Sequence, residues 1–233
     1  MTDIPYRRAL IVGAGPGISA SVGRALAGAG LEVGLAARNA EKLAPLAAEI
    51  GAKTFAVDAA DPEAVARLFE HFDAEVGPPD VVVYNASGRV RGRIADLEPE
   101  QVRRALEVSA FGGFLVTQQA AIRMLPHNHG AILLTGATAS VKGFPLSSSF
   151  AMGKFALRGL AQSAARELGP QGIHVAHFVI DGAVRSASRL DPSDRPDSTL
   201  DPDAIAHSYL AVLAQPRSAW TWEIEVRPWV ETF

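Results

Sequence analysis

Seven short runs of apolar residues alternate along the chain with longer stretches of helical periodicity. The runs, which favour β-strands, are Ala9–Val12, Leu31–Ala36, Thr54–Val57, Val81–Tyr84, Ala131–Thr135, His174–Val179 and Glu223–Val226. The stretches between them, several of which begin at Asn, Asp or Pro and end at Gly, are Ile18–Ala29, Ala40–Ile50, Pro62–Glu75, Pro99–Met124, Ser149–Leu168 and Pro202–Leu213. Parallel strands need crossover connections, which helices at this spacing supply. The alternation predicts an α/β fold with a doubly wound parallel seven-stranded sheet in a single domain, residues 1–233.

Composition narrows the range of functions. The chain has 233 residues, of which 48% are apolar, and this is enough for the core of one α/β domain. A net charge of −3 gives no basic surplus for binding nucleic acid or an anionic membrane, so we expect small molecules and further copies of the chain as partners. The absence of cysteine excludes disulfides, thiolate nucleophiles and cysteine-ligated zinc.

We predict neither a signal peptide nor a membrane span. The sequence MTDIPYRRALIVGAG enters a glycine turn after a short apolar run, without the long apolar region and cleavage site of a signal peptide. No apolar stretch approaches the ~18 residues of a membrane-spanning helix. The sequence therefore predicts a cytoplasmic protein that makes no membrane contact.

A glycine turn, GAGPGIS, follows the first predicted strand and precedes the first helix. Glycines let the backbone approach a ligand closely, and the free N–H groups at the start of the helix face its negative charge. The strict dinucleotide spacing is not met, because Ile18 stands where a third glycine would follow Gly15. Gly13 and Gly17, with the small residue Ser19, form a different glycine pattern.

Together with four later features, this pattern resembles the short-chain dehydrogenase/reductase family over essentially the whole chain. The features are Asp58 after the third strand, Asn85 in YNASG after the fourth, Lys154 in the helix that follows SSSF, and DGAVRS after the sixth strand. The resemblance implies a Rossmann-type fold and an NAD(P) cofactor. The residues that it places against the cofactor are Gly13, Gly15, Gly17, Ile18, Arg38, Asp58, Asn85, Ala86, Lys154, Gly182 and Val184.

The end of the second strand favours NADP over NAD. An acidic residue there accepts the ribose 2′-OH of NAD, whereas an arginine accommodates the 2′-phosphate of NADP. The sequence GLAARNAEKL has Ala37 followed by Arg38 and no acid at this point. We therefore predict NADP as the cofactor, with NAD as the alternative and an exposed loop charge as the other interpretation of Arg38.

The resemblance fails at the catalytic acid. In the family a Tyr moves the proton, a Ser orients the substrate oxygen, an Asn supports a relay water, and a Lys holds the nicotinamide ribose. The Tyr, Ser and Asn positions are occupied here by Phe150, Ala137 and Ser109, and Lys154 is kept. Phenylalanine has no proton to give. We therefore assign the chain to a divergent branch of the family in which Phe replaces the Tyr.

Two functions remain open at this point. The first is an oxidoreductase that acts on a small carbonyl or alcohol with a substitute proton donor, for which the candidates are Ser147, Ser148, Ser149, Thr138, Ser109 and Lys154. The other interpretation of the serines is that they cap the helix carrying Lys154, and of Thr138 that it bonds to backbone. The second function is a dinucleotide-binding protein without turnover that serves as a redox sensor or assembly partner.

Several further segments carry weaker predictions. Residues 185–203, rich in Ser, Asp and Pro, predict a mobile loop on the substrate side, either a lid or a plain disordered loop. The run from Arg89 to Arg93 is either a binding site for a substrate carboxylate or phosphate or a solvated loop. HNHG, residues 127–130, lacks a third ligand, so we predict no metal site. His174 and His177 are predicted to be structural.

A homo-oligomer, dimer or tetramer, is expected from the resemblance and from two apolar surfaces. One is the aromatic-rich C-terminal sequence WTWEIEVRPWVETF. The other lies on the helix Pro99–Met124 around AFGGF, residues 110–114.

Overall fold

The structure is a computed structural model and describes residues 4–232. Predictions that involve Met1–Asp3 or Phe233 lie outside the described residues. All seven strands form one parallel sheet in the order β3-β2-β1-β4-β5-β6-β7. The strands are β1 Arg8–Val12, β2 Glu32–Ala37, β3 Lys53–Ala56, β4 Val81–Tyr84, β5 Gly130–Thr135, β6 Ile173–Ile180 and β7 Glu223–Val226.

Helices cover both faces of this sheet. They are α1 Ile18–Gly28, α2 Ala44–Ile50, α3 Pro62–Glu75, α4 Pro99–Leu106, α5 Gly112–Met124, α6 Ser148–Leu168 and α7 Pro202–Leu213. One apolar core lies between the sheet and α1, α2 and α7, and the other between the sheet and α3, α5 and α6. β1 contributes Ala9 and Ile11 to the first core and Leu10 and Val12 to the second. A strand buried on both faces must be apolar at successive positions, which explains its unbroken sequence ALIV.

The predicted doubly wound α/β architecture is confirmed, and most predicted boundaries lie within two residues of the observed ones. The helix predicted over Pro99–Met124 differs, because a π-helical turn at Glu107–Phe111 separates α4 from α5. The hydroxyl of Tyr84 donates to the carbonyl of Val108 inside this turn. The stretch Ala40–Ile50 begins with a 3₁₀ turn, and α2 proper starts at Ala44.

The fold makes one edge of the sheet the expected place for a ligand. Because all strands are parallel, their carboxyl ends meet at that edge, and the chain winds in opposite directions from β1 to β2 and from β1 to β4. Open α/β sheets bind ligands in the crevice at such a switch point. Throughout residues 4–232, every helix is too short or too polar to span a bilayer.

Candidate functional site

Two neighbouring clefts run along the carboxyl edge of the sheet. The first cleft, of about 650 Å³, lies over the ends of β1, β2 and β4 and the loop after β3, and predicted site residues in its wall are Gly13, Arg38, Asp58, Asn85 and Ala86. The second cleft, of about 500 Å³, lies over the ends of β5 and β6 at the start of α6. Its wall contains the predicted residues Ile18, Asn85, Ala137, Phe150, Lys154, Gly182 and Val184. Both clefts share Asn85, Ser87 and Arg89, so they form one continuous groove.

The glycine turn joins the ends of β1 and β4. Gly13 has φ of +85°, and a Cβ built on it would lie 2.2 Å from the backbone nitrogen of Ala86, so only glycine fits. Gly17 has φ of +98° at the N-cap of α1, and a Cβ built on Gly15 or Gly17 meets nothing within 4 Å. The glycine turn leading into α1 therefore faces open space, as close approach of a phosphate to its N–H groups requires.

Ser19 ties this turn to the loop after β4. Its hydroxyl donates to the carbonyl of Gly13 over 3.1 Å and accepts from the side-chain amide of Asn85 over 2.7 Å. Asn85 is therefore held against the glycine turn at the point where the two clefts meet. In the sequence Ser19 is recognisable only as a small residue of the glycine pattern, because its pairing with Asn85, 66 positions away, depends on the tertiary fold.

Arg38 and Asp58 lie at the far end of the first cleft. Arg38 follows β2 with an exposed side chain, which has no hydrogen-bond or ionic partner within residues 4–232. Asp58 lies in the loop after β3, and its carboxylate accepts from the backbone N–H of Ala60 over 3.0 Å. The cleft end thus presents an unpaired guanidinium and an exposed carboxylate.

Lys154 lies in the second cleft on the first turns of α6. Gly153 lets this helix approach the π-helical turn, because a Cβ built on it would lie 2.6 Å from Cβ of Ser109. The Lys154 side chain is only 3% exposed, and its ammonium donates to the carbonyl of Thr135 over 2.7 Å. Burial lowers the pKa of Lys154 from its usual 10.5 to about 8. Phe150, one turn earlier, has its ring centroid 5.8 Å from the Lys154 nitrogen.

The serines near Lys154 bind the loop after β4, and the N-cap interpretation of Ser147 and Ser149 is wrong. Ser149 accepts from the N–H of Val90 over 3.0 Å and donates to its carbonyl over 2.8 Å. Ser147 occupies the N-cap of α6, but its side chain makes no capping bond and accepts from Arg89 over 3.4 Å. Ser148 is half-buried and lines neither cleft.

Ser109 does not reach the groove. It is fully buried in the π-helical turn, where its hydroxyl accepts from the N–H of Gly88 over 2.8 Å and donates to the same residue's carbonyl over 3.2 Å. Both hydrogen-bonding functions of this hydroxyl are therefore used in holding the loop after β4.

Thr138, Ser147 and Lys154 are the predicted donors that line the second cleft with capacity to spare, since the Ser147 hydroxyl only accepts, from Arg89. The hydroxyl of Thr138 makes no hydrogen bond within the part of the chain that the structure describes, so its predicted backbone bond is absent. Lys154 uses one of its three N–H bonds on Thr135. Ala137, beside Thr138, directs its backbone N–H to the hydroxyl of Ser140 over 3.1 Å.

The segment after β6 closes the second cleft. Gly182 has φ of +140°, and Val184 pairs with Leu200 in a parallel bridge. Arg185 then anchors the 185–203 loop from within, because its guanidinium contacts Asp191 at 2.6 Å and Asp197 and Asp201 at 3.3 Å. These ion pairs connect the loop's beginning to its middle and its end.

A partly buried group of polar side chains, His177, Glu223 and Arg158, lies near Lys154. Within it, Nδ1 of His177 lies 3.1 Å from Glu223, and that carboxylate accepts two hydrogen bonds from Arg158, at 2.6 and 2.7 Å. Burial lowers the pKa of His177 to about 4, so the ring is neutral at physiological pH. His174 lies 2.9 Å through Nε2 from the carbonyl of Thr221. Both histidines are built into the core, and within residues 4–232 no cluster of three or more His, Asp or Glu side chains could hold a metal.

Comparison with known proteins identifies the family. The model of the short chain dehydrogenase family matches residues 7–191, which is well over half of the chain. The chain belongs to the short-chain dehydrogenase family. An uncharacterized oxidoreductase of Staphylococcus aureus (strain N315) is 30% identical to this short-chain dehydrogenase over 98% of this chain and 100% of its own.

Solved structures have the same fold. A short-chain dehydrogenase from Rhodopseudomonas palustris is 36% identical, with a TM-score of 0.82 over 96% of this chain and 99% of its own. A metagenomic short-chain oxidoreductase, whose structure is a complex with NADP, is 26% identical, with a TM-score of 0.83 over 95% of this chain and 97% of its own. The chain is therefore a short-chain dehydrogenase-type oxidoreductase in sequence and in fold.

Proposed function

We propose that this short-chain dehydrogenase is an NADP(H)-dependent oxidoreductase that acts on a small carbonyl or alcohol substrate. The observation that carries the proposal is the continuous groove along the carboxyl edge of the sheet. Its two clefts bring together predicted site residues that are up to 171 positions apart, from Gly13 to Val184. The NADP complex of the metagenomic relative supports this choice of cofactor.

The described residues fit three parts of a dinucleotide: the pyrophosphate, the 2′-phosphate and the nicotinamide ribose. The glycine turn and the start of α1 would hold the pyrophosphate, because Gly15 and Gly17 face open space and carry no Cβ that would keep a phosphate away from the backbone. Arg38 would bind the 2′-phosphate, since its guanidinium has no competing partner within residues 4–232. Lys154 would hold the nicotinamide ribose through one of the two N–H bonds that Thr135 leaves free, so that the other can reach the substrate oxygen.

The substrate would lie in the second cleft between Phe150 and the loop after β6. A bound NADPH would supply the hydride. Lys154 is the group of this chain that we assign to the proton, because its nitrogen lines the cleft and its pKa of about 8 allows proton transfer near neutral pH. Thr135 orients that ammonium through its carbonyl. Thr138 would hydrogen-bond the substrate oxygen in place of the serine that Ala137 replaces.

A dinucleotide-binding protein without turnover is the second candidate. Phe150 and Ala137 favour it, since neither carries a hydroxyl where the family's reaction uses one. A positioned general acid or base is worth ~10²–10⁴ in rate, so its loss by itself would leave a slow enzyme. Both candidates require NADP(H) to bind, and they differ in whether hydride moves.

The first experiment titrates the purified protein with NADPH and NADH and follows nicotinamide fluorescence. We expect tighter binding of NADPH, and Arg38→Ala should weaken NADPH by about tenfold or more, because a charged hydrogen bond is lost. NADH, which lacks the 2′-phosphate, serves as the matched control and should be unchanged. If neither nucleotide binds, both candidate functions are wrong.

The second experiment mixes the NADPH-loaded protein with a broad carbonyl panel in single-turnover mode. Loss of nicotinamide absorbance with formation of the alcohol supports the oxidoreductase. NADPH binding without oxidation across the panel supports the binding protein.

We also propose that the protein forms homo-oligomers through the outer faces of α5 and α6. Large apolar side chains on these helices and the adjoining π-helical turn are exposed, namely Phe111, Phe114, Ile122, Met152 and Phe155. Analytical ultracentrifugation should show a dimer or tetramer, and Phe155→Glu should shift it toward the monomer. A monomeric wild-type protein would contradict this proposal.

A further inference from the structure

Arg89 occupies an unusual place at the start of α6. Its guanidinium carbon lies 4.9 Å from the ring centroid of Phe150, and its Nη2 donates to the hydroxyl of Ser147 over 3.4 Å. Both partners belong to the first turn of the helix, where the helix dipole is positive and a cation is disfavoured. The protein therefore holds an arginine where its own backbone repels positive charge.

The second cleft around Arg89 is positively charged throughout. Its described wall contains four cationic side chains, those of Arg89, Arg91, Arg189 and Lys154, and no aspartate or glutamate. Arg91 and Arg189 belong to this wall and are exposed to solvent. Like charges gathered in a cleft raise the local potential and concentrate anions there. The cleft thus has the electrostatics of a site for a negatively charged ligand.

Phe150 supports this arrangement at the position where the family has its proton donor. An arginine stacks on an aromatic face through a cation–π contact, which limits the directions in which its fork points. The centroid of the Phe150 ring lies 4.9 Å from the guanidinium carbon of Arg89 and 5.8 Å from the nitrogen of Lys154. The ring therefore fixes the relative positions of an exposed guanidinium and the buried ammonium.

We propose that the second cleft binds an anionic substrate, with Arg89 anchoring its carboxylate or phosphate group and the Phe150 ring positioning Arg89. This inference rests on the proposed function and adds the substrate class. The carbonyl to be reduced would lie at Lys154, and the anionic group a few bonds away at Arg89. The phosphates of the cofactor are assigned elsewhere, to the glycine turn and Arg38, so they leave Arg89 free.

Calorimetric titration with two matched pairs of ligands tests the proposal. Acetoacetate is compared with acetoacetamide, and dihydroxyacetone phosphate with dihydroxyacetone, first on the free protein and then on protein saturated with NADP⁺. We expect at least one anion to bind about tenfold or more tightly than its neutral counterpart in both states, because it gains a charged hydrogen bond. The pair with the larger ratio distinguishes a carboxylate from a phosphate site. Equal affinities within both pairs would overturn the proposal.

Variants of Arg89 and Phe150 test whether these residues cause the preference for the anion over its neutral counterpart. Arg89→Gln should bring the anion-to-neutral ratio close to one, whereas Arg93→Gln, an exposed arginine of the same loop outside the cleft wall, should leave it unchanged. Phe150→Leu should lower the ratio about two- to fivefold by removing the ring face, and Phe150→Tyr should preserve it. Equal losses in Arg89→Gln and Arg93→Gln would refute the anchor, and equal losses in the two Phe150 variants would refute the ring's positioning role.

The outcomes separate this proposal from the proposed function. If NADP⁺ does not bind but the free protein prefers anions through Arg89, the anion site stands and the oxidoreductase does not. If anion binding disappears on saturation with NADP⁺ and depends on Arg38, the anions occupy the cofactor's phosphate site, and the proposal is wrong.

Discussion

Replacement of Lys154 by methionine should change how stability depends on pH. The Lys154 ammonium is buried, and burial lowers its pKa from 10.5 to about 8. Below pH 8 the lysine is protonated in the folded and the unfolded chain, so it contributes no pH dependence. Between pH 8 and 10.5 the unfolded chain holds a proton that the folded protein has released, and the free energy of unfolding therefore rises with pH. The lowered pKa corresponds to about 3 kcal/mol over that interval.

Lys154→Met removes this rise and leaves the carbonyl of Thr135 without its donor, at a cost of about 1–3 kcal/mol. At pH 7 the variant gains about 3 kcal/mol because it no longer buries a charge, and it loses about 1–3 kcal/mol because the Thr135 carbonyl is unpaired. Wild type and variant should therefore have similar stability at pH 7. Near pH 10 the variant should be the less stable. Urea unfolding without nucleotide, followed by tryptophan fluorescence from pH 7 to pH 10, measures the difference. Lys142→Met, which removes an exposed lysine, is the control. Parallel stability curves for wild type and Lys154→Met would refute the buried charge.

Three further predictions concern α6 and the groove. Gly153→Ala should lower the free energy of unfolding by about 1–3 kcal/mol in urea, because its Cβ would lie 2.6 Å from a side chain of the π-helical turn. Gly159→Ala in the same helix, where nothing lies within 4 Å, should raise it by about 1 kcal/mol. Phe150→Tyr combined with Ala137→Ser should raise steady-state carbonyl reduction by up to ~10²–10⁴, and no gain on any substrate would show that the cleft lacks more than a hydroxyl. If Lys154 is the proton donor, single-turnover NADPH oxidation should fall as pH rises through about 8, while a flat profile would exclude it.

The architecture could be predicted because its signals are local. A parallel strand covered by helices on both faces needs apolar residues at successive positions, and runs such as Ala9–Val12 and Val81–Tyr84 meet that requirement. The π-helical turn could not be predicted, because one added residue per turn barely alters the helical period of Pro99–Met124. It forms where Tyr84 reaches the carbonyl of Val108, and this contact exists only after β4 and the helix have packed.

The roles of the serines depended on the same kind of distant contact. A run of serines before a helix predicts capping, because the nearest unpaired N–H groups belong to that helix. In the structure Ser149 instead satisfies both backbone groups of Val90, 59 residues away. Ser109 does the same for Gly88, 21 residues away. The sequence assigns the serine run to local partners and Ser109 to the active site, because contacts with residues this distant leave no local signal.

The structure gives a role to the phenylalanine that replaces the family's tyrosine, Phe150, which the sequence alone does not. In the sequence, Phe150 shows only that the hydroxyl used by the family's reaction is missing. In the structure both Arg89 and Lys154 lie within 6 Å of the ring centroid, at 4.9 and 5.8 Å, and Ser147, at the start of the same helix, accepts from that arginine. The phenyl ring carries no charge, so it forms an ion pair with neither cation and both positive charges stay available to a ligand. The same substitution that removes a proton donor thus preserves the positive charge of the second cleft, and an anionic substrate would use that charge.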